Sequence, residues 1–199
     1  MSQVEINEEV VEAKLGERIV AIARRNAVHI GFTCDGSGLC TMCECRVLGG
    51  ADQLNEPTEI EHTWLSDERL AEGYRLGCQA ALRGVGPVRL LTRAEEMRRQ
   101  FDALLNPPAG TTVGEHVRPL LANIAAVNWQ HIGRWPSNLL NSISRLGLVT
   151  LFWPISDLNA LVTDTVRVAE RMLAPYQQKR RSAPRTARPQ VAVESGIRR

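Results

Sequence analysis

The spacing of the cysteines restricts this chain more than any other feature. Cys34, Cys40 and Cys43 form the pattern Cys-x5-Cys-x2-Cys, and Cys78 follows after a gap of 34 residues. A fifth, Cys45, lies two positions beyond the third. An odd number excludes a complete disulfide framework, and the acid-rich first twelve residues lack the apolar run of an export signal. The expectation is a cytoplasmic chain whose thiols stay reduced and serve another purpose. Three close cysteines can wrap one side of a metal centre when the loop between them is flexible. Here that loop is Asp35-Gly36-Ser37-Gly38-Leu39, in which Gly36 and Gly38 open backbone conformations closed to other residues and let N–H groups approach. A fourth cysteine from a distant segment completes a set that suits a [2Fe–2S] cluster or a zinc ion. Zinc ribbons usually offer two Cys-x2-Cys knuckles; this chain has one, which favours the cluster.

Around the cysteines, apolar patterning lays out two modules. Residues 4–6 and 10–14 alternate and predict two short strands. Ile19, Val20, Ile22 and Ala23 give one apolar face to a helix over residues 17–26. Alternation returns at residues 44–48 and closes at Gly49-Gly50. Thr58 and Glu61 have capping-box spacing behind Pro57, predicting a helix with Ile60, Trp64 and Leu65 inward, and Ser66 can cap a further short turn through Leu70. Residues 74–81 carry Cys78, and residues 87–92 predict a last strand. The first module, residues 1–93, is thus expected to run β-β-α-loop-β-α-β. Residues 94–110 predict a linker helix and the break Asn106-Pro107-Pro108-Ala109-Gly110. Residues 111–175 have no alternation and predict about three helices. Their apolar faces are Leu120, Leu121, Ile124 and Ala125; then Leu139, Leu140, Ile143 and Leu146; then, capped by Asp157, Leu158, Leu161, Val162, Val166, Ala169 and Leu173. Residues 176–199, with Pro184 and Pro189 and few large apolar groups, predict a disordered basic tail. No run of about 18 apolar residues is available for a spanning helix.

The segment GFTCDGSGLCTMCECRV, residues 31–47, resembles the cluster loop of the plant-type [2Fe–2S] ferredoxin superfamily, a β-grasp fold. GYRLGCQA, residues 73–80, resembles that family's second motif around its last ligand. With the strand–strand–helix lead-in, the resemblance covers about residues 4–92. It implies an α+β chain: a β-grasp ferredoxin domain, a small all-α module and a disordered basic tail. It also implies a [2Fe–2S] cluster on Cys34, Cys40, Cys43 and Cys78, and single-electron transfer. Five residues separate the first two cysteines, where chloroplast ferredoxins have four. Five resembles the adrenodoxin-like branch and the ferredoxin domains of corrinoid-activating proteins and some adenylate cyclases, so the chloroplast potential and partner do not carry over. The two-part layout is similar to ferredoxin-like proteins of photosynthetic membranes, among them chlorosome-envelope and cyanobacterial photosystem-associated proteins.

Cys45 lies outside the ligand spacing and is read as a small buried hydrophobe. His29 is read as structural, because a Rieske centre would need two histidines inside the cysteine motifs. Glu56, Glu59, Glu61, Asp67, Glu68 and Glu72 form an acidic stretch: either a solvated face or, as the resemblance implies, a dock for a basic redox partner. Asp35 and Glu44 are expected to add negative charge near the cluster and favour its oxidised form. His62 is read as solvated, and His116 and His131 as structural. Trp129, Trp135, Phe152 and Trp153 are expected to face a partner or a membrane interface. Residues 1–92 carry 14 Asp and Glu against 9 Lys and Arg, whereas residues 176–199 carry 7 Lys and Arg against a single Glu. An acidic domain favours basic protein partners and disfavours nucleic acid. No G-x-G-x-x-G fingerprint is present, so no flavin or nicotinamide chemistry, and no enzyme activity, is expected. The resulting expectation is a one-electron carrier docked to a larger protein complex or a membrane surface, on its cytoplasmic face, through the helical module and basic tail. The alternative is a structural or assembly factor of a photosynthetic complex whose cluster is a redox sensor or folding staple.

Overall fold

The computed structural model describes residues 2–34, 36–148 and 158–182. It opens with a hairpin of β1 (Ser2–Ile6) and β2 (Glu9–Ala13). Asn7 and Glu8 form its two-residue turn, with φ of 56° and 69°, the left-handed pair that matches the twist of a tight hairpin. Helix α1 (Ile19–Arg25) buries Ile19, Val20, Ile22 and Ala23 as one face. After the cysteine loop come β3 (Glu44–Gly49), a short 3-10 turn at Ala51–Gln53, α2 (Glu59–Trp64), α3 (Asp67–Ala71), β4 (Tyr74–Leu76) and β5 (Val88–Thr92). The strands make one mixed sheet in the order β2-β1-β5-β3-β4, with β1 and β5 parallel and the other pairs antiparallel. This is a β-grasp domain. Val4, Ile6, Ile19, Ile22, Leu76, Leu82 and Leu90 are no more than 2% exposed and form its core, each contributing about 1.5–3 kcal/mol by burial.

Local signals hold where the chemistry is local. Thr58 and Glu61 form the reciprocal capping box, and the Ser66 side chain accepts from the Arg69 N–H at the start of α3. Trp64 and Leu65 are buried and Ile60 packs against the core. The element order is richer than expected, because residues 74–76 form β4 beside β3. Helix α4 (Arg93–Leu105) is also more than a linker: Thr92 caps it, Arg93 and Glu95 are buried, and it packs on β3 and β5.

The helical half departs further. Helix α5 (Val113–Leu146) runs unbroken for 34 residues through Pro119 and Pro136, spanning both stripes expected to belong to separate helices. It packs on α4 and α2 and buries Leu120, but Leu121, Trp129, Ile132, Trp135 and Leu140 are exposed. Helix α6 (Leu158–Ser182) continues past residue 176, where disorder was expected. The physical reason is composition: from residue 176 to the first proline, Pro184, the chain is rich in Gln, Lys and Arg, which carry a helix well. Asp157, Phe152, Trp153 and the tail beyond Ser182 lie outside the described residues, as does the side chain of His131. Among the described residues no helix is long and apolar enough to cross a membrane.

Candidate metal centre

The cysteine loop is shaped by its own backbone. The Ser37 N–H and hydroxyl both donate to the Cys34 carbonyl, at 2.9 and 2.7 Å, turning the chain back on itself. Gly36 and Gly38 take φ of 84° and 77°, and a Cβ on Gly38 would lie 2.6 Å from the Ile60 side chain. Thr41 holds a positive φ of 52° without being glycine, and its carbonyl accepts the Glu44 N–H at 3.0 Å as β3 begins. Such strain persists where the surroundings over-determine it. The fourth cysteine is delivered by β4: Gly77 N–H donates to the Cys43 carbonyl at 2.9 Å, and Cys78 N–H points at the Cys43 sulfur at 3.4 Å.

The thiols meet in two pairs. The Cys40 thiol donates to the Cys34 sulfur at 3.3 Å. That bond brings Cys34 down to about 5 against the opposing effect of burial, and pushes Cys40 up. Cys43 and Cys78 repeat the pattern: the bond between their side chains pushes Cys43 well up and brings Cys78 down. In each pair the contact favours the charged form of one sulfur and the neutral form of the other. Cys34, Cys43 and Cys78 are buried and Cys40 is half-buried, next to the exposed Met42. Among the described residues no group of three His, Cys, Asp or Glu side chains gathers about a single ion. Two thiol pairs suit two irons better than one tetrahedral zinc.

Sequence reasoning missed the neighbours of these sulfurs. The Gln79 amide donates to the Cys78 sulfur at 3.4 Å and to the Gly36 carbonyl at 3.4 Å, tying the two cysteine segments together. Hydrogen bonds from Ser37 and Thr33 favour the charged forms of Cys34 and Cys40. Loop residues that act through single hydrogen bonds leave no periodic signal, although Gln79 adjoins Cys78 and was open to suspicion on that ground.

Two acidic residues have roles other than those expected. Glu61 is fully buried, so it leaves the acidic face. Its carboxylate takes Arg75 Nε at 2.8 Å and Nη2 at 3.1 Å, Leu76 N–H at 2.9 Å and Thr58 N–H at 2.9 Å. It thereby fastens α2 to β4, which ends two residues before Cys78. Glu56, Glu59, Asp67, Glu68 and Glu72 do stay exposed. Glu44, expected to lend negative charge to the centre, is 2% exposed and paired with both Arg69 and Arg93, so its charge is offset. Asp35 lies outside the described residues.

Cys45 is buried, its thiol donates to the Arg75 carbonyl at 3.6 Å, and burial pushes it up to about 12. His29 Nδ1 sits 3.2 Å from Glu95, His116 Nε2 lies 2.8 Å from the Thr111 hydroxyl, and His62 is exposed. None of these three stands with the thiols.

The family model described as a 2Fe-2S iron-sulfur cluster binding domain matches residues 3–83. Chlorosome protein J of Chlorobaculum tepidum is 36% identical over 148 residues, covering 72% of this chain and 64% of the relative. Chlorosome protein I of the same organism is 40% identical over 94 residues, covering 47% of this chain and 38% of the relative. This chain therefore spans less than two thirds of either. The 2Fe-2S ferredoxin-5 of Aquifex aeolicus is 38% identical over 74 residues, covering 36% of this chain and 76% of the relative.

Proposed function

This chain belongs to the [2Fe–2S] ferredoxin family, and we propose that it is a one-electron carrier whose cluster sits on Cys34, Cys40, Cys43 and Cys78 and which docks on a chlorosome through residues 111–175. The observation that carries the ligand assignment is the meeting of the four thiols as two pairs, Cys34 with Cys40 and Cys43 with Cys78. When bound, the cluster supplies a one-electron couple. The chain supplies the rest. Burial of Cys34, Cys43 and Cys78 excludes water, and the Cys78 N–H and Gln79 amide aim at sulfur. Half-buried Cys40 and exposed Met42 mark the side on which an electron has the shortest way to a partner.

Docking is supported by the surface of α5. Leu121, Trp129, Ile132 and Leu140 are 59%, 83%, 72% and 67% exposed, and they recur at helical spacing. Among the described residues nothing covers this stripe, and exposed apolar patches are a common mark of interaction sites. Residues 116–148 contain Arg118, Arg134 and Arg145 and no acid. The chlorosome proteins J and I are the similar relatives that bear on the partner.

Protein purified anaerobically should be red-brown, hold iron and inorganic sulfide in equal amounts, and give a spin-half paramagnetic signal on reduction. Stoichiometric zinc without iron would sink the ligand reading. The full chain should co-sediment with isolated chlorosomes, losing with salt only the part due to the basic tail. A chain ending at Leu105 should remain coloured but stay in the supernatant. If the shortened chain still sediments, the docking surface lies elsewhere.

A further inference from the structure

We propose that Arg93 is a latch through which helix α5 acts on the potential of the cluster, its guanidinium joining Asn123 of α5 to Glu44, the neighbour of Cys43. The inference rests on the reading of Cys43 as a ligand in an electron carrier, and deepens it by naming a control.

The geometry is a shared cation. Arg93 Nη1 donates to Glu44 Oε1 at 2.8 Å. The other terminal nitrogen, Nη2, donates to the Asn123 carbonyl at 3.0 Å and also to its side-chain oxygen. Asn123 is steadied in turn by its amide, which donates to Gln100 of α4 at 3.2 Å. The second cation on Glu44 is anchored elsewhere: Arg69 stacks on the Tyr74 ring, 3.7 Å from its centroid, within the β-grasp domain. Of the two groups that offset Glu44, only Arg93 has its other anchor on α5.

Reduction adds negative charge to the cluster, so a cation nearby raises the potential and an uncompensated carboxylate lowers it. The Glu44 side chain is almost fully shielded from water, where such effects are screened least. With α5 seated, Arg93 is pinned against Glu44. When a partner draws α5 away by its exposed stripe, Arg93 loses the anchor that holds it there and the cluster becomes harder to reduce. Docking and potential are then linked, and the link runs both ways: reduction should favour the seated helix.

The test is an anaerobic redox titration of the full chain, followed by optical and paramagnetic spectra. Arg93→Gln should lower the midpoint potential, and Arg93→Lys, which keeps the charge, should restore most of it. Asn123→Ala alters neither Glu44 nor its two arginines, and should lower the potential in the same direction by less. Glu44→Gln should raise it. Unchanged potentials in both Arg93→Gln and Asn123→Ala overturn the proposal. A shift in Arg93→Gln alone also overturns it, because Arg93 would then act without α5. Should Arg93→Gln fail to fold, Asn123→Ala decides by itself. A wild-type chain with no reversible couple would overturn the carrier reading and the proposal with it, and would show as a missing signal rather than a missing shift.

Discussion

The β-grasp domain and helix α6 both use charge pairs, in opposite ways. In the domain the pair that ties α2 to β4 is inside. Glu61 and Arg75 have side chains 0% and 7% exposed, and the carboxylate also takes the backbone N–H groups of Thr58 and Leu76. On α6 the pairs lie nearer to solvent, from the half-buried Arg24 and Asp164, 23% and 13% exposed, to the open Arg171 and Glu9. Arg24 with Asp164, Arg167 with the Arg25 carbonyl, and Arg171 with Glu9 and the Asn26 carbonyl attach it to α1 and the first hairpin. Its apolar residues Val162, Val166 and Leu173 meanwhile stay exposed. A cleft of about 550 Å³ is lined by Phe101 and Leu105 of α4 and by Met172 and Leu173 of α6, so the apolar sides of these helices are not closed on each other. Buried pairs fix one geometry because breaking them strands a charge. Peripheral pairs are screened and can be exchanged for water. The domain is built to hold a cluster in one place, and the helix to be released at small cost.

The largest expected effect is at the thiols. Serine at Cys34, Cys40, Cys43 or Cys78 should abolish or severely weaken cluster binding, measured by visible absorption and by iron and sulfide content. Serine at Cys45 should leave both intact, since its thiol stands outside the two pairs and bonds to a backbone carbonyl. A colourless Cys45 variant with a normal Cys78 variant would reverse the assignment.

Next comes the buried pair. Glu61→Ala strands Arg75 in the core and frees the Leu76 N–H, and should cost about 3–5 kcal/mol of unfolding free energy. Urea denaturation measures it. A loss below about 1 kcal/mol would place this pair with the peripheral ones and erase the distinction drawn between the two regions.

These pairs also show which parts of the molecule a sequence discloses. The helix caps at Thr58 and Ser66, the apolar face of α1 and the cysteine spacing are local or periodic, and residues 19, 20, 22 and 23 could be assigned to the core from pattern alone. Glu61 looked like one more acid on an acidic helix, because nothing local announces that Arg75, 14 residues on, will meet it. Glu44 and Arg93 are 49 residues apart and equally silent. The continuity of α5 was illegible for another reason. Pro119 and Pro136 each remove a helical donor and favour a break, yet the helix carries both. Of the cluster site, the four sulfurs were legible; the side chains that hydrogen-bond to them were not.

An intermediate effect is expected at the junction. Burial raises the Glu95 carboxyl, but hydrogen bonds from Arg98, Arg99 and His29 outweigh it and bring Glu95 down to about 2. An unfolded glutamate titrates near about 4.3. A folded value below the unfolded one stabilises the fold above the unfolded value, and that stabilisation is lost as pH falls towards the folded value. The gap in urea midpoint between wild type and Glu95→Gln should therefore be full at about pH 6, shrink below about pH 4.3 and be nearly closed at about pH 2. A gap independent of pH would mean that Glu95 acts by shape rather than charge.

The smallest effect is expected on α6, and it tests the other half of the comparison. The side chains of Arg171 and Glu9 are 46% and 41% exposed. Pairs so open to solvent are worth about 0–1 kcal/mol, and Arg171 adds one further contact, to the Asn26 carbonyl. Arg171→Gln should accordingly leave the urea midpoint of the domain within about 1 kcal/mol of wild type and leave the cluster spectrum unchanged. What should move is local. Among the described residues α6 has few buried apolar groups and its polar anchors lie near water, which places it at the low-stability end of the molecule, where segments open without global unfolding. Its backbone amides should exchange hydrogen faster in the variant, while those of β1, β3 and β5 keep their rates. Raised salt should speed the wild-type α6 in the same direction, because it screens the same pairs. If Arg171→Gln instead lowers the stability of the whole domain, α6 belongs to the core's cooperative unit and is no detachable element.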